Sequence, residues 1–123
     1  MNIEFITKGE WVVGQGTIKG LDGEHIGVAL KENTKKIIAS TGFVGASDEV
    51  ESLANATLIA AAPDMYEKLL KLKKWLQMLL ADAKEHLKTC RFESLNKAYR
   101  SDIKNFEATI ADIDKALNKA EGK

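Results

Sequence analysis

The side chains able to do chemistry are few and far apart. The chain holds one cysteine, Cys90, and two histidines, His25 and His86. Cys90 and His86 stand four apart, a spacing that puts two side chains on one helix face, and thiol beside imidazole is the minimal nucleophile-and-base pair. Both fall near a helix end in a lysine-rich region with nothing to build a pocket, so a structural or exposed thiol is expected. His86 also lies on the apolar seam of its helix, where a hydrogen bond between helices is expected in place of a metal. His25 lies beside a turn and reads as exposed. A lone cysteine allows no internal disulfide and no cysteine-based zinc site. Asp48, Glu49 and Glu51 cluster where a helix should begin, and the helix dipole accounts for them. Gly14-Gln15-Gly16 lacks the third glycine of a dinucleotide fingerprint, and no phosphate-loop sequence is present. No catalytic residue, cofactor site or metal ligand is expected, and the chain does not read as an enzyme.

The elements that would position these residues fall into two halves. Eight of the nine glycines precede position 46, and the last is Gly122. The first half reads as short strands and turns: Ile3 to Thr7, Trp11 to Val13, Thr17 to Leu21, Glu24 to Leu30 and Lys36 to Thr41. Lys8-Gly9, Asp22-Gly23 and Asn33-Thr34 are the expected turns, Asp-Gly being the strongest because both residues tolerate positive φ. A three- or four-stranded antiparallel meander over 1–46 follows. Gly14-Gln15-Gly16 inside it reads as a bulge, a loop or a break.

From Ser47-Asp48 the period becomes helical. Asp48 followed by Glu51 resembles a capping box, with Ser47 or Asp48 as the cap. A connecting helix over 47–62 should stop or kink at Pro63, which lacks an N–H and suits the first turn of the next helix. Two long helices then form an antiparallel hairpin over 63–121. Met65, Leu69, Leu72, Leu76, Leu79 and Ala83 mark one seam. Tyr99, Ile103, Phe106, Ile110, Ile113, Leu117 and Ala120 mark the other, both alternating four and three. Thr89-Cys90-Arg91-Phe92 joins them. The fold class is α+β, read as one compact domain with a helical extension.

The first hairpin helix carries more apolar surface than its seam needs. Tyr66 and Leu70 are expected against the sheet and connecting helix. Further along, Trp75, Met78 and Leu80 are candidates to meet a partner protein or a second copy of the chain. Residues 65–91 carry seven cations against three anions, residues 1–64 five against nine, and the whole chain is neutral. Lys71 and Lys74 therefore join Trp75, Met78 and Leu80 as the candidate partner-binding set. Zero net charge argues against a general nucleic-acid binder.

Glu51-Ser52-Leu53-Ala54-Asn55-Ala56-Thr57-Leu58-Ile59-Ala60-Ala61-Ala62-Pro63-Asp64-Met65 closely resembles a motif of short proteins encoded by bacteriophages and prophages. In those proteins an acidic lead precedes Ala-Asn-Ala, one variable residue, Leu-Ile-Ala-Ala-Ala-Pro, an acid and a leucine-rich helix. A few strands usually come first, often with an early tryptophan, as Trp11-Val12-Val13 does here. The match covers about a quarter of the chain. It implies phage origin and supplies no catalytic residues.

Small phage proteins without catalytic equipment commonly act by binding. The leading expectation is an accessory protein that binds a host protein or defence complex, in the manner of an anti-CRISPR inhibitor. A homodimer through helix 63–88, serving phage structure or assembly, is the alternative. Capture of a small ligand such as a nucleotide signal between sheet and helices is the third. The amino terminus lacks the pattern of a signal peptide, and Leu69 to Leu80 is broken by Lys71, Lys73, Lys74 and Gln77, so no membrane span is expected. The host cytoplasm is the expected location.

Overall fold

The computed structural model describes residues 7–17 and 23–123. Three strands, β1 (Trp11–Thr17), β2 (Glu24–Leu30) and β3 (Asn33–Phe43), precede two helices, α1 (Glu49–Thr89) and α2 (Glu93–Ala120). The α+β class and the order of sheet before helices are as the sequence implies. The expected strands at Ile3 to Thr7 and Thr17 to Leu21 lie largely outside the described residues, as does Asp22 of the expected Asp-Gly turn. The chain divides into two compact units, one holding the sheet and α1 as far as Met65, the other Tyr66–Lys123.

In the first unit the strands lie in the order β1-β2-β3, all antiparallel. Gly14-Gln15-Gly16 neither bulges nor breaks: Gly14 pairs with Gly27, Gln15 with Ile26 and Gly16 with His25 in an unshifted ladder. The irregularity falls instead between β2 and β3. There a methyl at Gly27 would run into the Ala39 carbonyl oxygen, so the close backbone approach requires glycine. The turn between β2 and β3 is Lys31-Glu32, earlier than Asn33-Thr34. Asn33 opens β3 instead, its Oδ1 accepting the Lys35 N–H at 3.2 Å, and a Lys31–Glu10 ion pair at 3.0 Å ties the turn to the residue before β1.

Strand alternation sends Ile26 and Val28 to one face, where they are fully buried with Ala56 of α1. Trp11, Ile38, Val44, Leu53, Ile59 and Ala60 close around them. Helix and sheet approach closely because Gly42 has no side chain. A methyl there would collide with Ser52, and Thr41 Oγ1 donates at 2.7 Å to the Ser52 carbonyl. The small alanines and Ser52 thus serve close packing. The expected capping box gives way to another arrangement at the start of α1: the Glu49 carboxylate accepts the Gly45 N–H at 2.8 Å.

Pro63 does not separate two helices. It lies inside α1, a single helix of 41 residues. Its missing N–H leaves the Ile59 carbonyl without the usual donor, at a cost of about 3 kcal/mol relative to alanine. The helix continues because Ala60-Ala61-Ala62 and the leucine-rich run after Met65 favour helix strongly, and because apolar side chains on both flanks are packed.

In the second unit the far part of α1 and α2 form the expected hairpin, turning at Cys90, Arg91 and Phe92. Leu76, Ile113 and Leu117 are buried at its centre, with Tyr66, Leu69, Leu70, Leu79, Phe106 and Ile110 packed around them. The α2 seam is as spaced in the sequence, save that Ala120 is exposed. The α1 seam is rotated: Met65 and Leu72 are exposed, while Tyr66 and Leu70 face α2. Lys73–Asp114 at 2.5 Å and Lys84–Glu107 at 3.4 Å join the two helices along their flanks.

Candidate functional site

Helix periodicity divides the five candidate partner-binding residues. Trp75 and Met78 stand three apart and share a face, and both remain in solvent, 56% and 71% exposed. Lys71 and Lys74 are exposed around them. Leu80 is half-buried and, two residues beyond Met78, points to another side of α1. The surface is thus a tryptophan and a methionine with lysine ammonium groups on their amino-terminal side. Lys71 is held at 2.7 Å by Glu67 one turn earlier, which draws the Glu67 carboxyl below the usual carboxylate range. Trp and Met suit a protein interface, where both are enriched, and lysine at its rim favours an acidic neighbour.

The candidate chemistry at the hairpin turn does not assemble. His86 Nδ1 donates at 2.7 Å to the Asp82 carbonyl of its own helix, in place of the expected bond to α2. Its contact with α2 is instead a stacking of rings, 5.5 Å between centroids, on Tyr99. Cys90 Sγ lies 3.8 Å from the Phe92 carbonyl oxygen, to which its thiol donates weakly.

His25 was hidden from sequence reading. It is buried, 6% exposed, on the sheet face opposite Ile26. Its ring lies against Phe43, 4.5 Å between centroids, and Nδ1 is 3.0 Å from Ser40 Oγ. Serine beside imidazole invites comparison with a hydrolytic pair, but such a pair needs the second ring nitrogen held by a carboxylate. Here Nε2 has no partner among the described residues. Among the described residues the arrangement satisfies one buried nitrogen and supplies no carboxylate to the other. No local signal marks it, because burial comes from β3 rather than from neighbours in sequence.

A shallow trough of about 210 Å³ crosses the strands, bordered by Val12, Gly16, His25, Gly27, Thr34 and Ile37. His25 is its only ionisable group among the described residues. Among the described residues, no three His, Cys, Asp or Glu side chains come close enough to hold a metal ion. No helix among them is long and apolar enough to cross a membrane.

Sheet, long shared helix and hairpin define a small α+β protein whose second half is a helical hairpin. Over residues 1–123 the sequence matches the family described as Salmonella phage P22 protein Y8K6, and the chain belongs to that family. No curated protein and no solved structure matches it.

Proposed function

We propose that this chain is a phage accessory protein that works in the host cytoplasm by binding another protein and performs no catalysis of its own. The target proposed is a component of a host defence system, which would make the chain an anti-CRISPR-like inhibitor. The observation that carries the reading is the exposed Trp75–Met78 pair among lysines on a hairpin whose core is already filled by other residues. A rigid helix pair presents such side chains with little loss of conformational freedom on binding. Membership of a phage family supports the setting.

The test is a tagged pull-down from host lysate, comparing the natural chain with Trp75→Ala/Met78→Ala. A stoichiometric host protein held by the first and lost by the second is the expected result. Equal retention by both would remove the proposed surface. Recovery of the chain alone would favour the homo-oligomeric reading, in which the hairpin serves phage structure or assembly. One specific observation speaks for self-association: the order of charges on either side of Trp75 and Met78.

A further inference from the structure

We infer that a second copy of the chain occupies the Trp75–Met78 face, α1 lying antiparallel to α1 about a twofold axis between Trp75 and Met78. The inference rests on the reading of this face as protein-binding and puts a second copy there in place of a host protein. Lys68, Lys71, Trp75, Met78, Asp82 and Glu85 follow one another at alternating spacings of three and four, and all six are exposed. That alternation is a second stripe along α1, on a different side from the residues that meet α2.

The stripe is ordered as two cations, two apolar residues and two anions. Read backwards against itself it is complementary. Trp75 meets Met78 of the second copy, Lys71 meets its Asp82 and Lys68 meets its Glu85, and twofold symmetry makes each contact twice. Sliding one copy by a heptad sets Trp75 against Lys71 and Met78 against Lys68 in one direction, or Trp75 against Glu85 and Met78 against Asp82 in the other, so both apolar residues face charges. Parallel pairing sets lysine on lysine and acid on acid. Only the antiparallel register centred on Trp75 and Met78 matches apolar with apolar and charge with counter-charge. Among the described residues, Lys68, Asp82 and Glu85 make no ion pair within the chain, and Lys71 has only Glu67. The stripe is about 26 Å long with a short apolar centre, which fits a reversible dimer rather than an obligate one.

Sedimentation velocity over a concentration series tests this, with circular dichroism to verify that each variant keeps its helices. The natural chain should dimerise as concentration rises. Lys68→Glu/Lys71→Glu should raise the dissociation constant at least about tenfold, since four attractions become repulsions. Adding Asp82→Lys/Glu85→Lys to that variant should restore the dimer. Mixing the two double variants should restore it too, as a heterodimer. A natural chain that stays monomeric throughout, or a fourfold variant that fails to recover, overturns the inference. The pull-down is separate: a host protein captured by a monomeric chain would keep the binding reading and sink this one, and a dimer with no host partner would do the reverse.

Discussion

The Tyr66 phenol donates a 2.5 Å hydrogen bond to the Glu121 carboxylate, tying the start of the hairpin's first helix to the residue just past the end of its second. The bond raises the Tyr66 pKa above the ordinary phenol value, with burial and the negative charge adding to it. The Glu121 carboxyl is lowered, first by Lys123 and then by Tyr66. The two shifts bound a pH window. Glu121 contributes stability above its unfolded pKa, lost as pH falls through the lower folded value. Tyr66 contributes below its unfolded pKa, lost as pH rises through the higher folded value. The clasp is therefore closed across neutral pH and opens at both extremes. In a Tyr99→Phe background, an absorbance titration should place the Tyr66 midpoint above that of a free phenol, and Glu121→Gln should bring it down. An ordinary midpoint before that substitution would mean the clasp is open in solution.

Pro63→Ala should stabilise the protein by roughly 2 kcal/mol. It returns a donor to the Ile59 carbonyl, offset in part by the freedom regained by the unfolded chain. Urea unfolding checks this. A loss of stability would show that the proline's local geometry is required.

Leu117→Ala should cost about 2–5 kcal/mol, because Leu117 is buried between the hairpin helices. At concentrations where the chain is monomeric, Trp75→Ala and Met78→Ala should each shift stability by no more than about 0.5 kcal/mol, since both side chains are exposed there. The contrast, read by thermal melts, separates residues the fold needs from residues it leaves available.

Gly42→Ala should cost about 1–3 kcal/mol through collision with Ser52, and Ser52→Ala should recover part of the loss because the nearest obstructing atom is its hydroxyl. Gly27→Ala should find no such rescue, because backbone of β3 stands in the way. Paired unfolding curves decide it.

The hairpin was legible because its signals are local and repeated: apolar residues return every three or four positions over many turns in both helices. The rotation of the α1 seam was not, since Met65 with Leu72 and Tyr66 with Leu70 are equally apolar, and only contact with α2 selects between them. Pro63 misleads for a related reason. Its local preference ends a helix, whereas flanking alanines and packing on both sides outweigh one lost hydrogen bond. In the sheet, His25 looked exposed because a turn is near. Its burial depends on Phe43 and Ser40, eighteen and fifteen positions away. The candidate face at Trp75 and Met78 was visible as surplus apolar character, and Leu80 joined it wrongly only because counting apolar residues ignores helix angle.

Cys90, directly after the last residue of α1, is the only thiol in the chain and is partly accessible. That makes it a single attachment point for a spin label or dye, available with no engineered cysteine. In the antiparallel pairing two such labels would stand about 40 Å apart along the helix axes; in a parallel pairing they would approach to about 10 Å. The lone thiol is thus a molecular ruler for the orientation of the pairing.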